Sequence, residues 1–435
     1  MHIFYAFRKP AFALLWSGQV ISAFGDQLFS VAFLWLTTKQ LGESAGVIFG
    51  TASLCALIFG PCSGILADRL NRRNLLIGAD LARGFLVILL PLLLWLHMFE
   101  IWFLIPIILI KELLATFFEP ALTASLPMLT DNTKILYAIN NLMDMAKRFA
   151  RMLCPGIAGL LLLYLSFAYF FTFDTISFVI SAFVFLALGP CFRAGSSWPP
   201  LTIGQKNRHM LGDLRKDLVL SSARAYQNRQ FFRAVLSLGI MNIAWSIIYI
   251  IGLPLWTQRV LHASPAIFGL IASAYGAGNI VGIFLSTLRR SLSLRGMYIG
   301  KAFQGLGFIL LTLAPSSSIA MGVTFVSALC GSWGEPSITL MIQTEFSQEH
   351  VGKIYSLRSS LGQLGLTLGT MAASLVYYIF NVTTGIIMSG LFLVAISILC
   401  LALQRSPTKS DHQMTKLYNS DKVPALRSPS TVKRT

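Results

Sequence analysis

From residue 12 to residue 403 the chain alternates long apolar stretches with short polar or charged clusters. The stretches cover about 12–38, 45–66, 75–96, 101–119, 136–163, 167–189, 231–255, 266–288, 296–313, 319–342, 354–380 and 383–403. A helix needs roughly 20 residues to cross the hydrocarbon of a bilayer, so the pattern predicts an all-α membrane protein with twelve transmembrane helices. The first stretch is too long and too polar in its middle for a cleaved signal peptide, and no small-residue cleavage site follows it.

Composition agrees with that class. Of 435 residues 55% are hydrophobic and only 12% charged, more apolar material than a soluble core buries. The net charge of +17 first points to nucleic acid, but the positions of the charges exclude it. Arg8, Lys9, Arg69, Arg72, Arg73 and Lys134, the central group from Arg193 to Arg233, Arg289, Arg290, Arg295 and Lys353, and the tail from Arg405 to Arg434 all fall on one side of a twelve-span path. Lys39 and Arg259 alone fall on the other. Positive loops stay in the cytoplasm, which places both termini there, in a bacterial inner membrane. The partner implied is the lipid bilayer, with some attraction to anionic headgroups, and a monomer is expected. Cys55, Cys62, Cys154, Cys191, Cys330 and Cys400 form no C-x-x-C pair, and the six histidines show no ligand spacing. No disulfide or metal site is expected.

The chain also repeats itself. Glu119-Pro120-Ala121-Leu122-Thr123 matches Glu335-Pro336-Ser337-Ile338-Thr339, and the same offset maps Asp26 and Ser30 onto Asn242 and Ser246. At a slightly longer offset Gly60, Gly64, Asp68 and Arg72 fall on Gly278, Gly282, Ser286 and Arg290, and Tyr137 on Tyr355. Two pseudo-symmetric six-helix halves follow: 1–189 and 231–403, joined by a polar cytoplasmic loop 190–230 and followed by a tail, 404–435, whose composition is that of a disordered segment. Parallel halves with substrate between them are a transporter plan.

The cluster between the second and third stretches reads G-x-x-x-D-R-x-x-R-R, from Gly64 through Asp68, Arg69, Arg72 and Arg73. Gly64 lets a neighbouring helix approach closely. Asp68 can bond Arg72, Arg73 or a helix N-terminus in one conformation only, making a conformational latch; alternatively the arginines simply enforce topology. This motif resembles the loop between helices two and three of the major facilitator superfamily. Leu15 to Gln19 with Gly25-Asp26, Pro120-Ala121 through Leu126-Pro127, and Asp213-Leu214-Arg215 through Tyr226 resemble its drug- and siderophore-exporter branch, which includes macrolide and enterobactin exporters. A lysophospholipid transporter looks similar as well. Cys154-Pro155-Gly156-Ile157-Ala158-Gly159 resembles that superfamily's antiporter signature G-P-x-x-G-G, departing at Cys154 and Ala158. The resemblance implies the major facilitator fold, alternating access, and a central cavity lined by the first, fourth, seventh and tenth helices.

Charges inside spans cost about 2.5 kcal/mol or more each on insertion scales, so they mark function. Asp26 and the neighbouring Lys111 and Glu112 are the proton-coupling candidates. Burial disfavours a carboxylate's charge and an adjacent cation restores it, so protonation of Asp26 can be linked to breaking an Asp26–Lys111 pair; a fixed polar bond is the alternative. Glu119-Pro120, Glu335-Pro336 and the trio Pro155, Gly156, Gly159 are gating or packing candidates. Asp144 pairs with Arg148 by spacing; Arg148 and Arg151 reaching the cavity would serve an anionic substrate. Phe29, Phe33, Asn242 and Trp245 are expected on the cavity wall, where aromatics suit bulky amphiphiles. No catalytic constellation and no Walker lysine motif occurs, so no enzyme activity and no cofactor are expected, and the proton gradient is the energy source. The expected function is proton-coupled export of a bulky organic compound, a drug, macrolide or siderophore. The alternative is a facilitator for a lysophospholipid or small solute on the same fold. Topology is directly testable: in a cysteine-free background, Ser44→Cys should label from outside and Ser196→Cys only after permeabilisation. Labelling of both from one side would overturn the twelve-span path.

Overall fold

The computed structural model describes residues 10–98, 100–129, 133–189, 228–288, 293–334, 336–346 and 348–404. The expected central loop as far as residue 227 and the tail from residue 405 lie outside the described residues. So do Glu335 and the surroundings of Gly64, Asp68 and Arg69.

In lipid every backbone N–H and C=O must find its partner within the protein, which leaves the helix as the economical solution. The described residues are overwhelmingly helical, with no strand among them. They form α1 (Pro10–Leu41), α2 (Ala45–Arg69), α3 (Arg72–Trp95), α4 (Leu104–Ser125), α5 (Thr133–Leu161) and α6 (Phe167–Ala187). There follow α7 (Arg229–Ser246), α8 (Leu253–Arg259), α9 (Pro265–Leu288), α10 (Leu294–Leu311), α11 (Ser317–Gly331), α12 (Pro336–Glu345), α13 (Gln348–Ile379) and α14 (Val382–Leu403). Side-chain oxygens start several of them by accepting from free N–H groups of the first turn: Asn71 from Arg73 and Asn74, Ser293 from Gly296, Ser316 from Ile319, and Asn381 from Thr384.

Among the described residues, seven stretches are long and apolar enough to cross a membrane. The first, Pro10–Gly60, holds α1 and most of α2. The expected spans 136–163 and 354–380 are helical but lie among polar and charged residues of α5 and α13. Span 319–342 is not one helix: α11 stops at Gly331, Gly334 takes φ +77°, and Pro336 opens α12. The left-handed backbone at Gly334 suits glycine, and proline has no N–H to continue a helix. The matching Glu119-Pro120 repeat, by contrast, lies within an unbroken α4. Span seven continues from α7 into α8 through a π-helical turn, Ile247–Gly252.

Packing follows a regular scheme. α1 packs on α5 and α6, α3 on α4 and α6, and α2 on α4. Later in the chain α7 packs on α13, α10 on α11 and α14, and α9 on α11. Two further pairs join these groups, α5 with α9 and α2 with α13. The α5–α9 crossing is built on missing side chains: a Cβ at Gly159 would stand 3.0 Å from the Gly269 Cα and 3.1 Å from the Ala266 Cα. One at Gly276 would stand 2.8 Å from the Met152 Cα. There the Gly156 N–H donates to Ser273 Oγ over 2.7 Å. The α2–α13 crossing is polar, with Ser53 and Thr367 hydroxyls 2.8 Å apart and Gln363 Nε2 donating to Ser53 Oγ over 2.8 Å.

At the end carrying Lys39, the two groups are tied again. Arg259 Nη2 lies 2.9 Å from Glu43 Oε2, Gln258 Nε2 donates to Thr38 Oγ1 over 3.0 Å, and Ser374 Oγ donates to the Glu43 carbonyl over 2.7 Å. The helix contact can be tested by volume. Gly159→Leu should cost about 1–3 kcal/mol in chemical unfolding of the detergent-solubilised protein. Gly78→Ala, where nothing lies within 4 Å of the added methyl, should be neutral or stabilising by up to about 1 kcal/mol. Equal losses at both positions would mean that the crossing is not tight.

Candidate functional site

Four helices of the first group each place one or two charges at the same level of the bundle. Lys111 on α4 is 4% exposed. Its Nζ lies 2.9 Å from Asp174 Oδ2 on α6 and 3.1 Å from Asp26 Oδ1 on α1. The ammonium also sits 3.6 Å from the centroid of the Phe29 ring, whose face is electron-rich. The two carboxylates differ: the Asp174 side chain is fully buried, whereas that of Asp26 is 36% exposed. Asp174 Oδ1 has no hydrogen-bond partner among the described residues.

A second pair backs the first. Arg83 Nη2 donates to the Asp80 carboxylate one turn earlier on α3, and both are buried. The Arg83 guanidinium lies over Phe118 at 4.2 Å and over Phe178 at 4.6 Å, and the Phe178 ring also faces Lys111 at 5.4 Å. Beside them Gln19 Nε2 donates to Ser181 Oγ over 3.0 Å, tying α1 to α6. Arg83 and Asp80 balance each other. Lys111 faces two carboxylates and can balance one. Of the two, Asp174 is sealed from solvent and Asp26 is the more exposed.

Sequence reasoning brings Asp26 and Lys111 together but does not single out Asp174, Asp80 or Arg83. The available signal is the same one, a charge inside an apolar span, in the third and sixth stretches. Glu112 neighbours Lys111 in sequence yet makes no ion pair among the described residues, because adjacent helical positions point about 100° apart. Glu119, exposed, is held instead by Lys147 Nζ on α5 at 2.6 Å, with Pro120 following inside α4. Arg148 pairs with Asp144 over 2.8 Å at an exposed position, and Arg151 is exposed; neither joins the Lys111 cluster.

The cavity-wall residues separate. Phe29 and Phe33 are each 1% exposed and stack on one another with ring centroids 5.5 Å apart; Phe29 also meets Phe171, and Phe33 meets Phe49. The rings fill the space among α1, α2 and α6, and Phe29 also covers Lys111. Asn242 is half-buried and its Nδ2 donates to the Gly362 carbonyl over 3.3 Å, tying α7 to α13. Trp245 is half-buried, stacks on Tyr249 at 5.1 Å, and donates from Nε1 to Tyr275 Oη over 2.6 Å. Tyr275 in turn accepts from Gln304 Nε2 over 2.9 Å. The Pro155, Gly156, Gly159 segment forms the α5–α9 crossing. At the start of α3, Arg72 Nη1 donates to the Ala124 carbonyl over 2.8 Å, and Arg73 donates to the Phe185 and Leu186 carbonyls over 3.2 and 3.0 Å. Both cations sit at the C-terminal ends of α4 and α6, where helix dipoles are negative. The Asp68 side chain lies outside the described residues.

The buried pair sets an energetic expectation. Removing one partner of such a pair costs about 3–5 kcal/mol because the other charge is stranded. Lys111→Met should lose that amount in unfolding measurements, and Lys111→Met with Asp174→Leu should recover most of it. Asp26→Asn, at the exposed carboxylate, should cost clearly less than either single change at the buried pair. Equal losses for the Lys111 single and the double variant would mean that Lys111 and Asp174 are not an energetic unit.

Three comparisons place this geometry among known proteins. Residues 2–429 match the model of a family described as transmembrane secretion effector. Macrolide efflux protein A of Streptococcus pyogenes is 21% identical over 403 residues, covering 90% of this chain and 95% of that protein. The MFS-type transporter YfiS of Bacillus subtilis (strain 168) is 22% identical over 425 residues, 94% and 96% of the two chains. Among solved structures, a POT family transporter in complex with a thioalcohol conjugated peptide superposes with a TM-score of 0.68 at 14% identity, over 90% of this chain and 95% of that one. At that identity the likeness concerns the fold. The chain belongs to the transmembrane secretion effector family of the major facilitator transporters, and is a multi-pass membrane transporter and not an enzyme.

Proposed function

We propose that the chain is a proton-coupled exporter of a bulky organic compound, working by alternating access between two six-helix halves of twelve spans. It sits in a bacterial inner membrane with both termini in the cytoplasm. The observation that carries the reading is Lys111, buried between one sealed and one solvent-facing carboxylate. With Asp26 ionised the trio bears one net negative charge in a site walled by aromatic rings; with Asp26 protonated it is neutral and Lys111 belongs to Asp174 alone. Closing the site to water favours the neutral state, since burying an uncompensated charge is costly. Opening it to a water-filled face favours release of the proton. A conformational cycle that exposes Asp26 alternately to the two sides thereby carries a proton.

The halves are supported by the packing scheme, in which α1 to α6 and α7 to α14 pack within their own groups and meet at α5–α9 and α2–α13. Export is supported by the efflux function in the name of the Streptococcus pyogenes relative, and macrolides, other drugs and siderophores are the candidate cargo. The half-buried Trp245 and Tyr249 offer a stacking surface for such a compound. The Asp144–Arg148 pair leaves less support for a cavity that selects anions.

In vesicles of defined orientation, an imposed proton gradient should drive a macrolide probe against its own gradient. Asp26→Asn, which mimics the protonated carboxyl and cannot release a proton, should abolish that uphill movement while leaving probe binding intact. Glu112→Gln should have a smaller effect. Full gradient-driven accumulation by Asp26→Asn would make Asp26 a fixed structural group. Wild-type movement that ignores the gradient would leave a facilitator of the same fold.

A further inference from the structure

A cavity of about 450 Å³ lies away from the Lys111 cluster, between the start of α7, the start of α10 and the end of α14. Its mouth carries Arg229 and Arg233, one turn apart on α7, both exposed and neither in an ion pair among the described residues. No acidic residue occupies the first turn of α7, and α14 has no charged residue at all. Gln404, at the rim, has both its amide nitrogen and its amide oxygen buried without a hydrogen-bond partner among the described residues. Below this polar mouth the wall is apolar, with Leu236 and Ile240 on α7 facing Ile396 and Leu399 on α14.

The dimensions match one leaflet. From Arg229 to Ile240 the helix rises about 16 Å, roughly half the ~30 Å hydrocarbon thickness. A cationic, amide-bearing mouth over an apolar groove of that depth is complementary to an amphiphile with an anionic head and an acyl chain, and too deep in its apolar part for a free inorganic anion. The chain's own residues 405–435 are a poor occupant, since they carry Arg405, Lys409, Lys416, Lys422, Arg427, Lys433 and Arg434 against only Asp411 and Asp421.

We propose that this groove binds an anionic phospholipid. The Arg229 and Arg233 guanidinium groups hold its phosphate, the Gln404 amide meets its headgroup, and an acyl chain runs between Leu236 and Ile240 on α7 and Ile396 and Leu399 on α14. The assignment rests on the reading that these helices cross a bilayer with their basic end at the headgroups; it does not rest on proton coupling.

The test is lipid retention by the full-length protein in nanodiscs made from equal parts phosphatidylglycerol and phosphatidylcholine, read by native mass spectrometry after release. Each arginine near an anionic surface contributes about 1 kcal/mol, or roughly fivefold. Wild type should therefore enrich phosphatidylglycerol, and Arg229→Gln with Arg233→Gln should lower the enrichment about 25-fold. Leu236→Trp, which fills the groove and keeps both charges, should also displace the retained lipid. Deleting residues 405–435 should leave the preference unchanged. Equal retention of the two lipids by wild type, or full preference in the double variant, would overturn the assignment. A preference that emerges only on deletion would mean that the tail occupies the groove, and would overturn it too. None of these readouts requires transport, so a failed transport assay and a failed lipid assay remain separate results.

Discussion

An ammonium group taken out of water is the constraint around which the first helical group is arranged. Burial of Lys111 is tolerable only because Asp174 and Asp26 meet it from two other helices and Phe29 covers it with a ring face. Desolvating an ion costs several kcal/mol even after relaxation, so α1, α4 and α6 cannot separate at this level without stranding a charge. Arg83, paired with Asp80 on α3 itself, ties α3 to α4 and α6 through the ring faces of Phe118 and Phe178. Polar contacts of this kind fix the relative rotation of helices whose outer surfaces are uniformly greasy, a job that apolar packing alone does poorly in lipid.

The later group is organised differently. There Trp245 and Gln304 donate to Tyr275, Ser332 donates to Asn279, and the half-buried Lys301 donates to Gln304 over 3.3 Å. Hydroxyl and amide bonds cost less to break and remake than a buried ion pair. The contacts between the two groups are glycine-lined or hydroxyl-lined crossings, with the Arg259–Glu43 ion pair at the end carrying Lys39. Tight small-residue crossings let two rigid bodies turn against each other while staying in van der Waals contact.

Much of this is legible in the chain. Apolar stretch length foretells the helices, because the bilayer sets that length physically. In-span charges point to Asp26 and Lys111, because lipid makes each such charge expensive. Asp174 escapes a sequence reading although the same rule applies to it; a lone carboxylate in an apolar run does not announce which distant cation will meet it. What Phe29 and Phe33 face is not legible in sequence, because an aromatic on a helix can turn to a cavity or to a neighbour, and only tertiary packing decides. The break after Gly331 is hidden by the repeat with Glu119-Pro120: equal residues at equal positions do not impose equal backbones, since α4 absorbs its proline and the α11–α12 segment does not.

The wide turn at Ile247–Gly252 has a mechanical consequence. Its loosened backbone leaves the Ile247 carbonyl to accept from the Tyr377 hydroxyl on α13 at 3.0 Å, and a side chain at Gly252 would strike that same hydroxyl. The rod formed by α7 and α8 is therefore pinned at its joint, with its longer arm fastened to α13 through Asn242 and its shorter arm reaching Thr38 and Glu43 through Gln258 and Arg259. A lever with a fixed fulcrum can swing its short arm without dragging the long one. The contacts of the short arm can part by a bend at one point, with the longer α7 arm left in register.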